Sequence, residues 1–287
     1  MVGETLLKKL AREVDESLAE KLWGRIDIVG DIAVVKIPFN TPVDWGKVER
    51  LGKLLLDRLP YVKSVWAIVS PTTGSYKVRG LRHVAGEERT ETVYREHGCR
   101  FMVDIAKVFI TPRLNFEHAR IASLISEGEV VVNMFAGAGL FSIIAACKSK
   151  PRKVYSIDIN PAAYEYMKIN ARLNRVEDVV EPILGDAARV VSERLRGVAD
   201  RVIMPLPELA LRYLYYAITA LKARGWIHVY LHVRGRGRRE ALRLAEQAVV
   251  EEALRSGARN VRVAGSRRVR SVGPRTLQVV VDVEVEK

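Results

Sequence analysis

The sequence predicts an α/β protein in two parts, a small α+β unit over residues 1–112 and a larger α/β unit over residues 113–287 with a mixed, mainly parallel sheet of seven strands. Two observations carry this. Beyond Pro112, apolar β-branched runs alternate with segments of helical spacing, the rhythm of βαβ units. Before Pro112, strand-like stretches dominate around one long helical pattern, and the texture changes at that proline.

Taken in order, the opening MVGETLLKKLAREVDESLAEKL is amphipathic with acidic residues interleaved, so it is not read as an export signal. GRIDIVGDIAVVKI places β-branched residues on both sides of Gly30-Asp31 and predicts a hairpin. Trp45, Val48, Leu51, Leu54, Leu55 and Leu59 keep helical spacing from Asp44 to Leu59, and Pro60 marks the stop. Strands are expected at Lys63 to Val69, Ser75 to Val84 and Glu91 to Asp104, the last broken at His97-Gly98.

In the second part a helix is expected from about Phe116, then strand VVVNMF, a helix after Gly139, strand KVYSIDI, a helix over Ala162 to Leu173, and strand VVEPIL. DRVIMPL, a helix over Leu209 to Ala223, strand WIHVYLHV and a long helix over Arg238 to Ser256 follow. The last two strands, NVRVAGSRRVRSVG and TLQVVVDVEV, have no helix between them and must pair antiparallel, because a parallel crossover needs a dozen or more residues.

The 47 Lys and Arg against 34 Asp and Glu give a net charge of +13, which points to an anionic partner, nucleic acid first. A heat-adapted charged surface reads the same way, since Gln occurs only at 247 and 278. Cys99 and Cys147 lie far apart without metal-ligand spacing, which suggests neither a zinc site nor a disulfide framework and suits a reducing, cytoplasmic setting. Val130 to Cys147 reaches the length of a membrane span, but Asn133, Gly137, Gly139 and Ser142 make it a strand, a turn and a helix.

Ligands of open α/β sheets bind at the carboxyl ends of strands. After VVVNM comes Phe135-Ala136-Gly137-Ala138-Gly139, where glycines permit a tight turn and close approach of the backbone to a ligand. A packing turn has the same composition, and the absence of a full GxGxxG argues against a dinucleotide. Asp158 ends the next strand about 20 residues on, where a carboxylate can accept both hydroxyls of a ribose. Asp186 follows the third strand, placed to accept from an adenine amino group, and Met204-Pro205-Leu206-Pro207 ends the fourth. Each aspartate alone is equally a helix N-cap; their ordered series favours a cofactor site.

LRHVAGEERTETVYREHGCRFMVDIAKVFITPRL, NMFAGAGLFS, YSIDINP and RVIMPLP together resemble the archaeal and eukaryotic tRNA (guanine37-N1)-methyltransferase family, including its sister enzymes of wyosine biosynthesis. The resemblance runs from about residue 5 to the end. It implies a Rossmann-like class I methyltransferase domain over 113–287 preceded by an α+β domain that contributes to tRNA binding and the active site, and an expected short form without the family's further amino-terminal domain. It implies S-adenosyl-L-methionine as cofactor, held by Arg113, Phe135, Ala136, Gly137, Gly139, Asp158, Ile159, Asp186, Ala187, Pro205 and Pro207. It also implies Glu117 in LNFEHAR as the catalytic base, no metal, a monomer, and the anticodon stem-loop of tRNA as partner. Three positions depart from the family pattern: Asn133 for Asp, Lys77 for Arg, and Pro205 for Asn.

Guanine N1 carries a proton at neutral pH, so methylation there needs a general base, for which Glu117 is the candidate. An acidic residue in the first turn of a helix also stabilises the helix dipole without any chemistry. Charge pushed toward O6 calls for a cation, Lys77 or Arg79. Pro205 cannot donate to a base edge, so the substrate base is either guanine or a tricyclic wyosine precursor, with aminocarboxypropyl transfer a further variant. Lys77, Arg79 and Arg82, the run Arg234 to Arg239, and Arg267 to Arg275 are candidate RNA contacts, and Phe109, Tyr94 or Phe141 candidate stacking rings. A non-catalytic RNA-binding relative predicts RNA binding without cofactor, and a small-molecule methyltransferase predicts no salt-dependent tRNA binding.

Overall fold

The computed structural model describes residues 4–39, 42–71, 74 and 76–287. The chain divides into two compact units, Met1–Pro112 and Arg113–Lys287.

In the first unit, helices α1 (Leu6–Val14) and α2 (Glu16–Lys21) meet at Asp15, whose extended backbone ends one helix and whose carboxylate accepts the Leu18 N–H to cap the next. Strands β1 (Ile26–Val29) and β2 (Ile32–Lys36) form the expected hairpin, with Gly30 at φ +58° in its turn. Helix α3 (Trp45–Arg58), capped by Asp44, crosses over to β3 (Ser64–Ile68), parallel to β2. Strand β4 (Leu81–Gly86) then returns antiparallel to β3. The strand expected from Ser75 starts later, at Leu81; Ser75 lies outside the described residues, and Lys77 takes φ +55°, a left-handed conformation no strand contains. Strands β5 (Glu91–Glu96) and β6 (Cys99–Asp104) make a separate hairpin turning at His97-Gly98. Leu7 and Leu10 of α1 and Leu51 and Leu55 of α3 pack with Val35 and Val65 of the sheet into one core.

The second unit runs α4 (Asn115–Leu124), β7 (Val130–Asn133), α5 (Leu140–Ser149), β8 (Lys153–Asp158), α6 (Pro161–Leu173), β9 (Val180–Leu184), α7 (Ala187–Arg194), β10 (Ala199–Met204), α8 (Leu214–Ala220), β11 (Leu221–Arg234), α9 (Arg238–Arg255), β12 (Asn260–Gly273) and β13 (Thr276–Glu286). Its seven-stranded sheet has the order β12-β13-β11-β10-β7-β8-β9. Strands β7 to β11 are mutually parallel, whereas β13 is antiparallel to both β11 and β12. From β7 the chain steps to β8 on one side and later to β10 on the other, so the strand order reverses beside β7 and a crevice opens at the carboxyl ends there.

Two elements differ from the sequence expectation. Helix α7 falls in a stretch for which no helix is expected, and the helix expected to reach Ala223 stops at Ala220. There Leu221 pairs with Ala199 of β10 and Arg224 with Glu286 of β13, so ladder hydrogen bonds to two strands outweigh a local helical preference. No helix among the described residues is long and apolar enough to cross a membrane.

Candidate active site

The turn after β7 is held by backbone and carboxylate together. Ala136 N–H bonds Ile157 O at 2.8 Å, and Gly137 and Gly139 take φ +55° and +90°. Asp158 Oδ2 accepts the Gly137 N–H at 2.7 Å, and its Oδ1 accepts the Asn160 N–H at 2.9 Å. Burial pushes the Asp158 carboxyl above the ordinary carboxylate range, against these backbone donors. With the Ile159 N–H as a third backbone donor, the carboxylate keeps one acceptor site of its four. Asn133 is buried with Ser142 and Ser156: its amide donates to Ser142 Oγ at 3.1 Å, and Ser156 Oγ bonds Ser142 Oγ at 2.7 Å. A neutral amide therefore completes a neutral buried cluster where the resemblance leads one to expect a carboxylate.

Gly139 is also the N-cap of α5, and a Cβ added there would lie 3.0 Å from Met167 Cγ. Gly139→Ala is expected to destabilise the fold by about 1–3 kcal/mol through the left-handed backbone and this contact. It should also weaken cofactor affinity; urea unfolding and calorimetric titration of the same variant check both.

At the next strand end the structure shows the helix cap in place. Asp186 Oδ1 accepts the Ala188 and Arg189 N–H groups as the N-cap of α7, and Oδ2 accepts the Tyr213 hydroxyl at 2.6 Å. Burial and the Asp186 carboxylate push the Tyr213 hydroxyl up to about 12, so it stays a donor. Tyr213 in turn meets Phe135 edge to face at 5.3 Å, tying the glycine turn to the loop after β10. Ala187 and Ala136 have buried side chains, which leaves only their backbones for a ligand. Ile159, by contrast, is 44% exposed directly after Asp158. Pro205 and Pro207 are half-buried beyond β10, and Arg113 is half-buried in a short 3-10 turn, Pro112–Leu114.

Glu117 stands in the first turn of α4 and is only 2% exposed. Its Oε2 accepts the Tyr230 hydroxyl at 2.9 Å and Arg120 Nε at 3.0 Å, while Oε1 is bonded by Arg267 Nη1. Burial, reinforced by the neighbouring Glu117 charge, pushes the Tyr230 hydroxyl well above the ordinary phenol range. Tyr230 also packs on Phe141 at 5.8 Å, and His118 meets Phe141 at 4.4 Å. Phe141 is the second residue of the helix that the glycine turn leads into, so Tyr230 links Glu117 to the start of that helix.

Behind Glu117 the polar chain continues through the sheet. Arg120 Nη1 donates to Asp282 Oδ2 at 2.6 Å, and His228 Nδ1 and Asp282 Oδ1 are 2.6 Å apart. Arg201 Nη1 lies 2.9 Å from His228 Nε2 and pairs bidentately with Glu129 at 2.7 and 2.9 Å. Arginine can only donate, so Nε2 accepts and the histidine proton sits on Nδ1, pointing at Asp282. Burial lowers the His228 pKa and keeps it neutral. The sequence reading missed this chain; the one available signal was the two-residue period that puts His228 and Tyr230 on one face of an otherwise apolar strand.

In the first unit, Lys77 and Arg79 line a cleft with Asp27, Ile105 and Phe109, and the Arg79 guanidinium lies 5.1 Å over the Phe109 ring. Tyr94 and Phe141 are buried core rings, Tyr94 donating to Glu96 at 2.7 Å, so neither is open for stacking. Arg82 stacks on Trp45 at 3.9 Å. In the second unit two basic runs that are separate in sequence meet: the Gly235 N–H bonds Arg275 O at 3.1 Å, and Arg234 pairs with Thr276 across the β11–β13 ladder.

Residues 92–255 match the model of the TRM5/TYW2 methyltransferase domain. The chain belongs to the TRM5/TYW2 methyltransferase family. The chain is 39% identical to the tRNA 4-demethylwyosine(37)-methyltransferase Taw21 of Saccharolobus solfataricus, over 98% of this chain and 99% of that protein. It is 38% identical to the tRNA (guanine(37)-N(1))-methyltransferase Trm5b of Pyrococcus abyssi, over 95% of this chain and 78% of that one. The solved complex of aTrm5 with tRNALeu superposes with a TM-score of 0.82 at 33% identity, covering 100% of this chain and 80% of that one.

Membership of the TRM5/TYW2 family brings S-adenosylmethionine as cofactor. The residues fit it. The left-handed glycines leave backbone uncovered at the crevice, Asp158 and Asp186 keep acceptor capacity beyond their backbone partners, and Ile159 offers an exposed apolar side chain beside Asp158. A hydroxylated ribose and a flat apolar base need this donor and acceptor set.

Proposed function

We propose that this member of the TRM5/TYW2 family methylates N1 of guanosine 37 in tRNA. The observation that carries the reading is the buried Glu117 carboxylate, bonded by Tyr230, whose ring packs on Phe141 in the first turn of the helix that follows the glycine turn. Bound there, S-adenosylmethionine supplies a methyl group already activated by its sulfonium. Asp158 and Asp186 are assigned to the ribose and the adenine amino group, with Arg113, Phe135, the backbones of Ala136, Gly137, Gly139 and Ala187, Ile159, Pro205 and Pro207 around them. Glu117 takes the N1 proton as the base attacks, and Lys77 or Arg79 offsets the charge that develops on O6. The joined arginine runs contribute RNA affinity through phosphates, while the base itself carries specificity.

A second reading, methylation of a tricyclic wyosine precursor at the same position, is favoured by the match to Taw21 over 99% of its length and by Pro205, which cannot donate to a base edge. Labelled S-adenosylmethionine and transcripts bearing G or A at position 37, followed by nucleoside mass spectrometry, decide between them. Formation of 1-methylguanosine with the G transcript alone is expected. No product from either transcript, with turnover on 4-demethylwyosine tRNA, moves the assignment to the second substrate.

A further inference from the structure

The three donors on Glu117 are not alike. Tyr230 and Arg120 both bond Oε2, and both are fixed from behind, Tyr230 by full burial in β11 and Arg120 by its pair with Asp282. Arg267 alone bonds Oε1. It comes from the edge strand β12, and its side chain is 33% exposed. Its guanidinium lies 4.3 Å over the ring of Phe116, which is itself 59% exposed. Among the described residues Glu117 is its one anionic partner. The same strand and its turn carry Arg268 and Arg275, and the Gly235–Arg275 backbone bond brings the Arg234 to Arg239 run to the same rim. A polyanion drawn to this rim meets Arg267 at a partly open site.

We infer that Arg267 is a positioning residue that holds Glu117 closed in the free enzyme and passes to a phosphate of the bound RNA, releasing Oε1 to take the substrate proton. This rests on the reading of Glu117 as the base. While Arg267 donates to Oε1, that oxygen is occupied and does not face a substrate proton. Withdrawing that donor frees Oε1 to accept, while Tyr230 and Arg120 keep the carboxylate aimed. The charged and titratable groups facing Glu117 are Arg120 from its own helix, Tyr230 from β11, Arg267 from β12 and, through Arg120, Asp282 from β13. Helix α5, packed along α4, has a single charged residue, Lys148, in its last turn. A phosphate has the charge and acceptor geometry to compete for a guanidinium. The arrangement ties the power of the base to the presence of RNA, so cofactor bound alone does not meet an active carboxylate.

The test uses the full chain as wild type, Arg267→Gln and Arg267→Lys, with a tRNA transcript bearing G37. The first readout is binding without turnover. The plot of log affinity against log salt should be shallower by about one in Arg267→Gln and restored in Arg267→Lys; an unchanged slope overturns the proposal. The second is the chemical step at saturating tRNA. If Arg267 has passed to a phosphate there, it no longer serves the carboxylate, so single-turnover methyl transfer should be as fast in Arg267→Gln as in wild type; a lower rate means that Arg267 still holds Glu117 in the complex and overturns the proposal. Glu117→Gln run alongside separates the two readings. Full single-turnover rate in that variant removes Glu117 as the base and the latch with it; a slow Glu117→Gln beside an Arg267→Gln with the wild-type salt slope removes the latch alone.

Discussion

Glu117→Gln is expected to slow single-turnover methyl transfer by about 10²- to 10⁴-fold, the usual contribution of a positioned general base, while S-adenosylmethionine binding stays near the wild-type value. The residues proposed for the cofactor lie on the glycine turn and at the ends of β8, β9 and β10, whereas Glu117 stands on α4 and is linked to the helix after that turn through Tyr230 and Phe141. Its loss therefore removes the proton acceptor and leaves the cofactor crevice in place. The amide also points an NH₂ group at one of the two guanidinium groups that Glu117 serves, and breaking a buried ion pair costs about 3–5 kcal/mol. Melting curves and cofactor titration on the same preparation separate the two effects. Unchanged single-turnover rates in a folded Glu117→Gln enzyme would falsify the assignment.

The largest loss of stability is expected from Asp282→Ala. Asp282 receives Arg120 and His228 on its two oxygens, and although burial opposes ionisation, these partners hold its carboxyl down to about 2. Removing it leaves a buried guanidinium and a buried imidazole N–H without their acceptor, at a cost of about 3–5 kcal/mol. Acid should reproduce part of the effect. Above pH 6.5 neither state protonates His228. Below that the unfolded chain binds a proton there before the folded one does, its pKa being lowered by burial, so stability falls as the pH drops below 6.5. Asp282 adds a second loss as the unfolded carboxyl protonates below about pH 4 and the folded one only near 2. Urea midpoints from pH 7 to 3 check this: His228→Gln should flatten the upper segment, and a wild-type curve already flat there would exclude a neutral buried His228.

The glycine turn and its bond to Asp158, the frame of the proposed cofactor crevice, were legible because their parts are local. Gly137, Gly139 and Asp158 declare themselves through strand periodicity followed by a residue type that a tight turn or a strand end requires, and each lies within one βαβ unit. Local pattern also placed Asp44, Gly30 and the break at His97-Gly98 correctly. It could not choose between cap and ligand for Asp186, since both need a carboxylate at the same spot, and only the positions of Ala188, Arg189 and Tyr213 show what its oxygens now bond.

What the sequence determined by itself was therefore the order of strands and helices apart from α7, the antiparallel finish, the glycine turn with its acidic partner, and the excess of positive charge. What only the tertiary structure decided was the company Glu117 keeps. Tyr230, Arg267 and, through Arg120, Asp282 come from three strands more than a hundred residues away, brought together by the β12-β13-β11 order of the sheet. The same pairing joined two arginine runs into one rim and ended α8 at Ala220. Hydrogen-bonded ladders between distant segments leave no trace in local periodicity, because each strand satisfies its own two-residue pattern whichever neighbour it finally meets.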